Sequence, residues 1–245
     1  MVEVIEDKIK AKKASTREIP EIQPVVKGAR PPLWKRICHE FLRLIAKAIY
    51  HTYLDLSFEG LENVPKDGAN IFASNHRSYT DPILISLKPK VMFSFMAKEE
   101  LFEKNIFFTI LIKLFGAFPV VRGSGGKQSI ETSIERLNKG YNLVIFPEGT
   151  RSKDGKVLKG KTGVALVAAI AQVPVIPTGI VFEGKIKFRR KVTVKFGKPI
   201  IPSEIGVDSC ENKKVKHLRN EIMASITELV KGKPDESEQE NVNKL

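Results

Sequence analysis

A histidine and an aspartate five residues apart stand in the stretch SNHRSYTDP, residues 74–82. A histidine on a loop with a nearby carboxylate forms a general-base pair. The imidazole of His76 takes a hydroxyl proton, while Asp81 fixes its tautomer and stabilises the imidazolium that forms. On a continuous helix the two would sit about 140° apart, on different faces. They meet only if residues 77–80 form a turn. Asp81-Pro82 favours that, since proline suits the first turn of a helix and aspartate before it suits the N-cap. The plain alternative is a surface histidine beside a capping aspartate. An apolar strand just before the pair favours the chemical reading, because ligands bind beyond the carboxyl ends of strands in open α/β sheets.

Further groups stand where other apolar runs end. In NLVIFPEGTRS, residues 142–152, a buried strand gives way to a turn. Gly149 permits close backbone approach, Thr150 and Ser152 offer hydroxyls, Arg151 offers a planar cation suited to phosphate, and Glu148 positions either the turn or a substrate. GAFPVVRG, residues 116–123, puts a second arginine, Arg122, at a strand end. Lys98 follows the apolar VMFSFMA and is a further phosphate candidate. Each has a bland counterpart, a turn or strand end with solvated charges. Seven basic residues between Lys185 and Lys198, with no acid among them, read as a solvated hairpin or a face for anionic lipid or an acidic carrier.

The elements that must position these groups alternate. Strand signals fall at 56–59, 70–74, 91–97, 117–121, 142–146, 174–182 and 191–196, and helical periodicity at 127–138, 159–172 and 211–231. That alternation predicts an α/β domain with a mostly parallel central sheet flanked by helices. Residues 162–182 carry no charge, yet Pro174 and Pro177 break the run, so a helix followed by a strand is expected rather than a membrane span. Residues 33–53 form an amphipathic helix. Trp34, Ile37, Phe41, Leu44, Ile45 and Ile49 share one side; Arg36, His39, Glu40, Arg43 and Lys47 share the other. This is either an interfacial membrane helix or a helix packed on the domain's own core. Residues 105–115 are apolar nearly all round and too short to span a bilayer. The expected organisation is a flexible arm at 1–30, a helical region at 31–55, an α/β domain at 56–231 and a disordered tail at 232–245.

The chain of 245 residues has a formal net charge of +13. Residues 31–230 hold 31 basic against 19 acidic side chains, so the folded body itself is basic. Such a body attracts anionic bilayers, phosphorylated substrates, acidic carriers or nucleic acid. Neither zinc-finger spacing nor an RNA-recognition aromatic motif supports the last. Cys38 and Cys210 lie far apart, which argues against a disulfide scaffold and fits a reducing compartment. The first residues lack the apolar core of a signal peptide.

With these motifs the chain resembles the 1-acylglycerol-3-phosphate acyltransferases. NHRSYTD (75–81) resembles that family's NHxxxxD block, GAFPVVRG its second, FPEGTRS (146–152) its third and VPVIPTGI (173–180) its fourth, all in the family order. LSFEGLENVP (56–65) and VKFGKPI (194–200) are similar to the flanking segments, so the likeness runs over roughly residues 55–230. The second block departs most, with Pro119-Val120-Val121 where members often carry an acidic residue before the arginine. The resemblance implies His76 as base, Asp81 as its orienter, Arg122 and Arg151 as holders of an acceptor phosphate, and Glu148, Gly149 and Thr150 as the walls of that pocket. It implies direct attack of a lysophospholipid hydroxyl on acyl-CoA or an acyl-carrier protein, with neither cofactor nor metal. Residues 31–55 then become a segment seating a peripheral or monotopic enzyme on an anionic membrane at its cytoplasmic face. Other acceptors, such as glycerol-3-phosphate, another lysophospholipid or a lipid A precursor, and a nonenzymatic basic binding module, are the competing expectations.

Overall fold

The computed structural model describes residues 20–25, 28–103, 105–120, 126–183 and 188–231. Among them seven strands form one sheet: β1 Leu54–Glu59, β2 Ile71–Ser74, β3 Phe93–Lys98, β4 Ala117–Val120, β5 Asn142–Ile145, β6 Val175–Phe182 and β7 Arg190–Phe196. Their spatial order is β1-β7-β6-β2-β5-β3-β4. Every pairing is parallel except that of β6 with β7. The mostly parallel α/β sheet read from the sequence is therefore present. The helices are α1 Leu33–Tyr53, α2 Asp81–Ser86, α3 Glu100–Glu103, α4 Ile106–Leu114, α5 Lys127–Asn138, α6 Gly163–Ala171 and α7 Asn212–Lys231.

The central strands β2 and β5 are short and mostly apolar because both their faces are covered. All four residues of β2 and of β5 are buried. Side-chain alternation then splits them between two cores. Ile71, Ala73, Leu143 and Ile145 join α5, α6 and α7 on one face. Phe72 and Val144 join Leu84 and Ile85 of α2 and Ala46 of α1 on the other. Strand β1 lies beside β7 at the edge, three places from β2. The turn after it explains the separation: Gly60 is left-handed at φ 71°, and the Asn63 side chain donates to the Phe196 carbonyl at 2.9 Å, tying that turn to β7.

Residues 162–182 resolve into α6, a left-handed Gln172 and β6, as the two prolines predict. No described helix is long and apolar enough to cross a membrane. The helix α1 is amphipathic in an inverted sense. The residues it buries are His39, Arg43 and Ala46, whereas Leu33, Trp34, Ile37, Phe41, Leu44, Ile45 and Ile49 are exposed. It packs on the domain through His39, Arg43 and Ala46, with Leu42 and Tyr50 against the same core, while its larger apolar side chains face outward. Arg43 is not a solvated polar-face charge. Its Nη1 donates to the Leu87 carbonyl at 2.6 Å, and its Nε donates to Glu40 at 2.8 Å. Helix α4 packs near α1 and exposes Ile106, Phe107, Ile110 and Leu111.

Candidate active site

The chain leaves β2 through α2 toward β3 on one side of the sheet, and leaves β5 through α6 toward β6 on the other. The adjacent strands β2 and β5 therefore flank a topological switch point, where an open α/β sheet parts its loops into a crevice. His76 follows one of these strands and Glu148 the other.

Asn75 makes the exit from β2 possible. Its side chain is buried, donates through Nδ2 to the Ile180 carbonyl at 3.0 Å, and accepts the Ile180 amide through Oδ1 at 2.7 Å. One side chain thus continues the ladder to β6 while the backbone turns away with His76. Residues 77–80 form the turn that the histidine–aspartate spacing requires. His76 Nδ1 lies 2.8 Å from Asp81 Oδ2. The same oxygen accepts the backbone amides of Arg77 at 2.6 Å and Ser78 at 2.7 Å. Asp81 was expected to cap α2; instead Thr80 is the N-cap and Asp81 is the first helical residue. Its carboxylate turns back onto the preceding turn because three donors converge there. The second oxygen, Oδ1, is buried without a hydrogen-bond partner among the described residues.

In the tautomer where Nδ1 donates to the Asp81 carboxylate, Nε2 is left as the acceptor. The ring is stacked on Phe146, with centroids 4.0 Å apart and planes 20° from parallel. The β5 loop grips the backbone of His76 as well. Glu148 Oε1 accepts its amide at 3.3 Å, and the Ser152 amide donates to its carbonyl at 2.7 Å. Glu148 is buried, and burial pushes its carboxyl up; the backbone amides of His76 and Leu158 and the His76 ring pull it partway back. Helix α1 reaches the same region through Tyr50, whose phenol is pushed up by burial and then by the Asp81 charge.

Gly149 is left-handed at φ 68°, and a Cβ there would meet the Lys161 ammonium at 2.9 Å. Thr150 and Arg151 are exposed, and the Arg151 guanidinium lies over the Tyr79 ring at 3.6 Å. The β5 loop is thus joined to the β2 turn at Glu148, Arg151 and Ser152. Lys98 ends β3, two places from β2 on the same rim, and pairs with Glu100 at 3.7 Å. Arg122 lies outside the described residues. Among the described residues no three His, Cys, Asp or Glu side chains are grouped as a metal site. Sequence reasoning missed Asn75, Phe146, Tyr50 and Lys161. The first two closed apolar strands and so could have been found; Tyr50 and Lys161 stood on remote elements with no local signal.

The acyltransferase family model matches residues 55–181. The chain is 34% identical over 179 residues to the 1-acyl-sn-glycerol-3-phosphate acyltransferase of Streptococcus pneumoniae, covering 69% of this chain and 65% of that protein. It is also 34% identical over 157 residues to the chloroplastic enzyme LPAT1 of Arabidopsis thaliana, covering 62% and 44%. The chain therefore spans less than two thirds of the length of either relative. Against the Bacillus subtilis 1-acyl-sn-glycerol-3-phosphate acyltransferase it is 30% identical over 176 residues, covering 66% of this chain and 86% of that one. The crystal structure of the 1-acyl-sn-glycerophosphate acyltransferase PlsC from Thermotoga maritima superposes with a TM-score of 0.62 at 28% identity, covering 80% of each chain. The matched span opens one residue into β1 and ends one residue short of the end of β6, enclosing both the His76 turn and the Glu148 loop, and the chain belongs to the acyltransferase family, among the 1-acylglycerol-3-phosphate acyltransferases.

Proposed function

We propose that the chain transfers a fatty acyl group from acyl-CoA or an acyl-carrier protein to the sn-2 hydroxyl of lysophosphatidic acid, giving phosphatidic acid. The contact between His76 Nδ1 and Asp81 Oδ2 at 2.8 Å carries this reading. It leaves Nε2 to take the hydroxyl proton as the hydroxyl oxygen attacks the thioester carbon. The tetrahedral intermediate collapses with cleavage of the carbon–sulfur bond, and the thiolate takes its proton from the imidazolium. Asp81 holds the tautomer and balances the transient positive charge. Glu148 and Ser152 act through the His76 backbone. Arg151, with Thr150 and Gly149, serves the acceptor phosphate; Arg122 and Lys98 are assigned to the same duty by the sequence. The names of the relatives support the acceptor class.

The exposed apolar residues of α1 and α4 support a second part of the reading. Residues 31–55 and α4 seat the 56–231 domain peripherally or monotopically on an anionic leaflet, at the cytoplasmic face, where lysolipid is available. Thiol release from palmitoyl-CoA, with and without lysophosphatidic acid, tests the chemistry. Acceptor-dependent release should fall about 10²–10⁴-fold in His76→Ala. Equal, acceptor-independent rates in both proteins, with palmitoyl-CoA and with palmitoyl-carrier protein, would overturn the proposal; release that depends on a different acceptor would redirect it to that lipid.

A further inference from the structure

Beside His76, toward the β6–β7 side of the sheet, two arginines share one aromatic ring. The Arg77 guanidinium lies 5.3 Å from the Phe182 ring centroid and that of Arg190 lies 5.0 Å from it. Phe182 ends β6 and Arg190 begins β7, so both stand on the rim where β2 ends. No carboxylate pairs with either arginine among the described residues; the neighbouring Glu183 is taken by Lys191 at 3.1 Å. Arg190 is held by main chain instead, its Nε donating to the Glu183 carbonyl at 3.2 Å and its Nη2 to the Phe182 carbonyl at 3.4 Å. Arg77 is backed by Gly155, where a Cβ would come within 2.7 Å of its guanidinium carbon. Burial and the Arg77 charge both push Arg190 below the ordinary guanidinium value. Two like charges held together with no counter-ion raise the energy of the empty site, and an anion relieves it.

The proposed reaction brings two phosphorylated molecules to one histidine. The acceptor phosphate sits on the carbon next to the reacting one, so it stays close to His76, on the flank where Arg151 and Lys161 stand. Strand β7 is two places from β2, roughly 10 Å at about 4.8 Å per strand. An anion there is remote from the transferred bond, as the phosphate of a pantetheine arm is remote from its thioester. We propose that Arg77 and Arg190 bind the phosphate-bearing end of the acyl donor, on the β6–β7 side of His76. This rests on the acyl-transfer reading. Phosphopantetheine is common to coenzyme A and acyl-carrier protein, so the site accepts either.

The test is the kinetics of Arg190→Gln and Arg77→Gln with three donors: palmitoyl-CoA, palmitoyl-carrier protein and palmitoyl-N-acetylcysteamine, which has no phosphate. Each variant should raise KM for a phosphate-bearing donor roughly tenfold, the size of one charge-assisted contact. KM for lysophosphatidic acid should move less than about twofold, and Arg190→Lys should recover part of the loss. A shift with palmitoyl-CoA alone would overturn a site for the phosphate that the two carriers share, leaving only a contact to the nucleotide phosphates. A shift with both carriers supports the pantetheine phosphate. An equal loss with the phosphate-free donor would overturn the proposal, as would a rise in acceptor KM instead. So would unchanged kinetics with weakened sedimentation on phosphatidylglycerol vesicles, which would make the pair a headgroup contact. Arg77→Gln guards against a disturbed hairpin in the Arg190 variant, since its side chain makes none of the main-chain bonds that Arg190 makes. A wild-type protein inert with every donor would defeat acyl transfer itself, whereas an active wild type with unmoved variants defeats only the donor subsite.

Discussion

At the scale of single residues, the site is defined by which polar groups are buried and what meets them. Glu148 is a buried carboxyl whose burial favours the protonated form. A folded-state value above the unfolded one contributes stability below about pH 4.5, and that contribution is lost as pH rises through the raised value. At neutral pH the ionised group is therefore a cost that an amide does not carry. Glu148→Gln should raise the urea midpoint at pH 7 relative to wild type, and the two should converge toward pH 4. Gly149 and Gly116 are both left-handed but differ in surroundings. A Cβ at Gly149 meets the end of a flexible lysine, while one at Gly116 would stand 2.1 Å from the Phe93 carbonyl oxygen. Gly149→Ala should cost about 1–2 kcal/mol, the left-handed penalty for an L-residue. Gly116→Ala should cost more, because the β3 backbone it meets cannot yield without breaking its pairing with β4 and β5. Denaturant midpoints of the two variants check both.

At the scale of elements, α1 is set on the domain by its polar side. Arg43 bonds the carbonyl of Leu87, just past the end of α2, and His39 is buried edge-on to Phe115 with ring centroids 6.5 Å apart. Burial holds His39 below its ordinary value, and Arg43 adds to this while Glu40 opposes it. The unfolded chain then takes up the proton first as pH falls below about 6.5, so docking of α1 weakens as pH falls through the depressed folded value. His39→Leu should flatten the stability slope between pH 5 and 7, measured as urea midpoints followed by Trp34 fluorescence; an unchanged slope would remove His39 from that role. The residues that position His76 come from three elements: Asn75 leaves β2 tied to β6, Phe146 and Glu148 arrive from the end of β5, and Asp81 from the start of α2.

At the scale of the whole molecule, the sheet divides its work between faces and rim. One face is closed by α5, α6 and α7. The other carries α2 under α1, whose outward side, with α4, exposes most of the large apolar side chains at the described surface. Phe41 and Phe107 are 63% and 79% exposed, so they contribute little to folding. Replacing both with serine should sharply reduce co-sedimentation with phosphatidylglycerol vesicles while leaving stability in detergent within about 0.5 kcal/mol per site. Full retention on vesicles would show that the bilayer is reached through some other surface.

The sequence by itself determined the seven strands and the longer helices in their order, the turn between His76 and Asp81 and the strand end at Phe146, because each depends on local periodicity or on residues within a few positions; the short α3 and the uniformly apolar α4 carry no such period and were not typed. Pro174 and Pro177 likewise told strand from membrane span without outside help. It could not decide which side of α1 faces inward, since a helical wheel records amphipathy and not the identity of the neighbour. Nor could it show that β1 pairs with β7, that Glu148 holds the His76 amide from 72 positions away, or that Arg77 and Arg190 share one ring. These depend on strand order, which is set by long-range pairing and by packing of helices on two faces, and only the tertiary structure brings such distant residues within hydrogen-bonding reach.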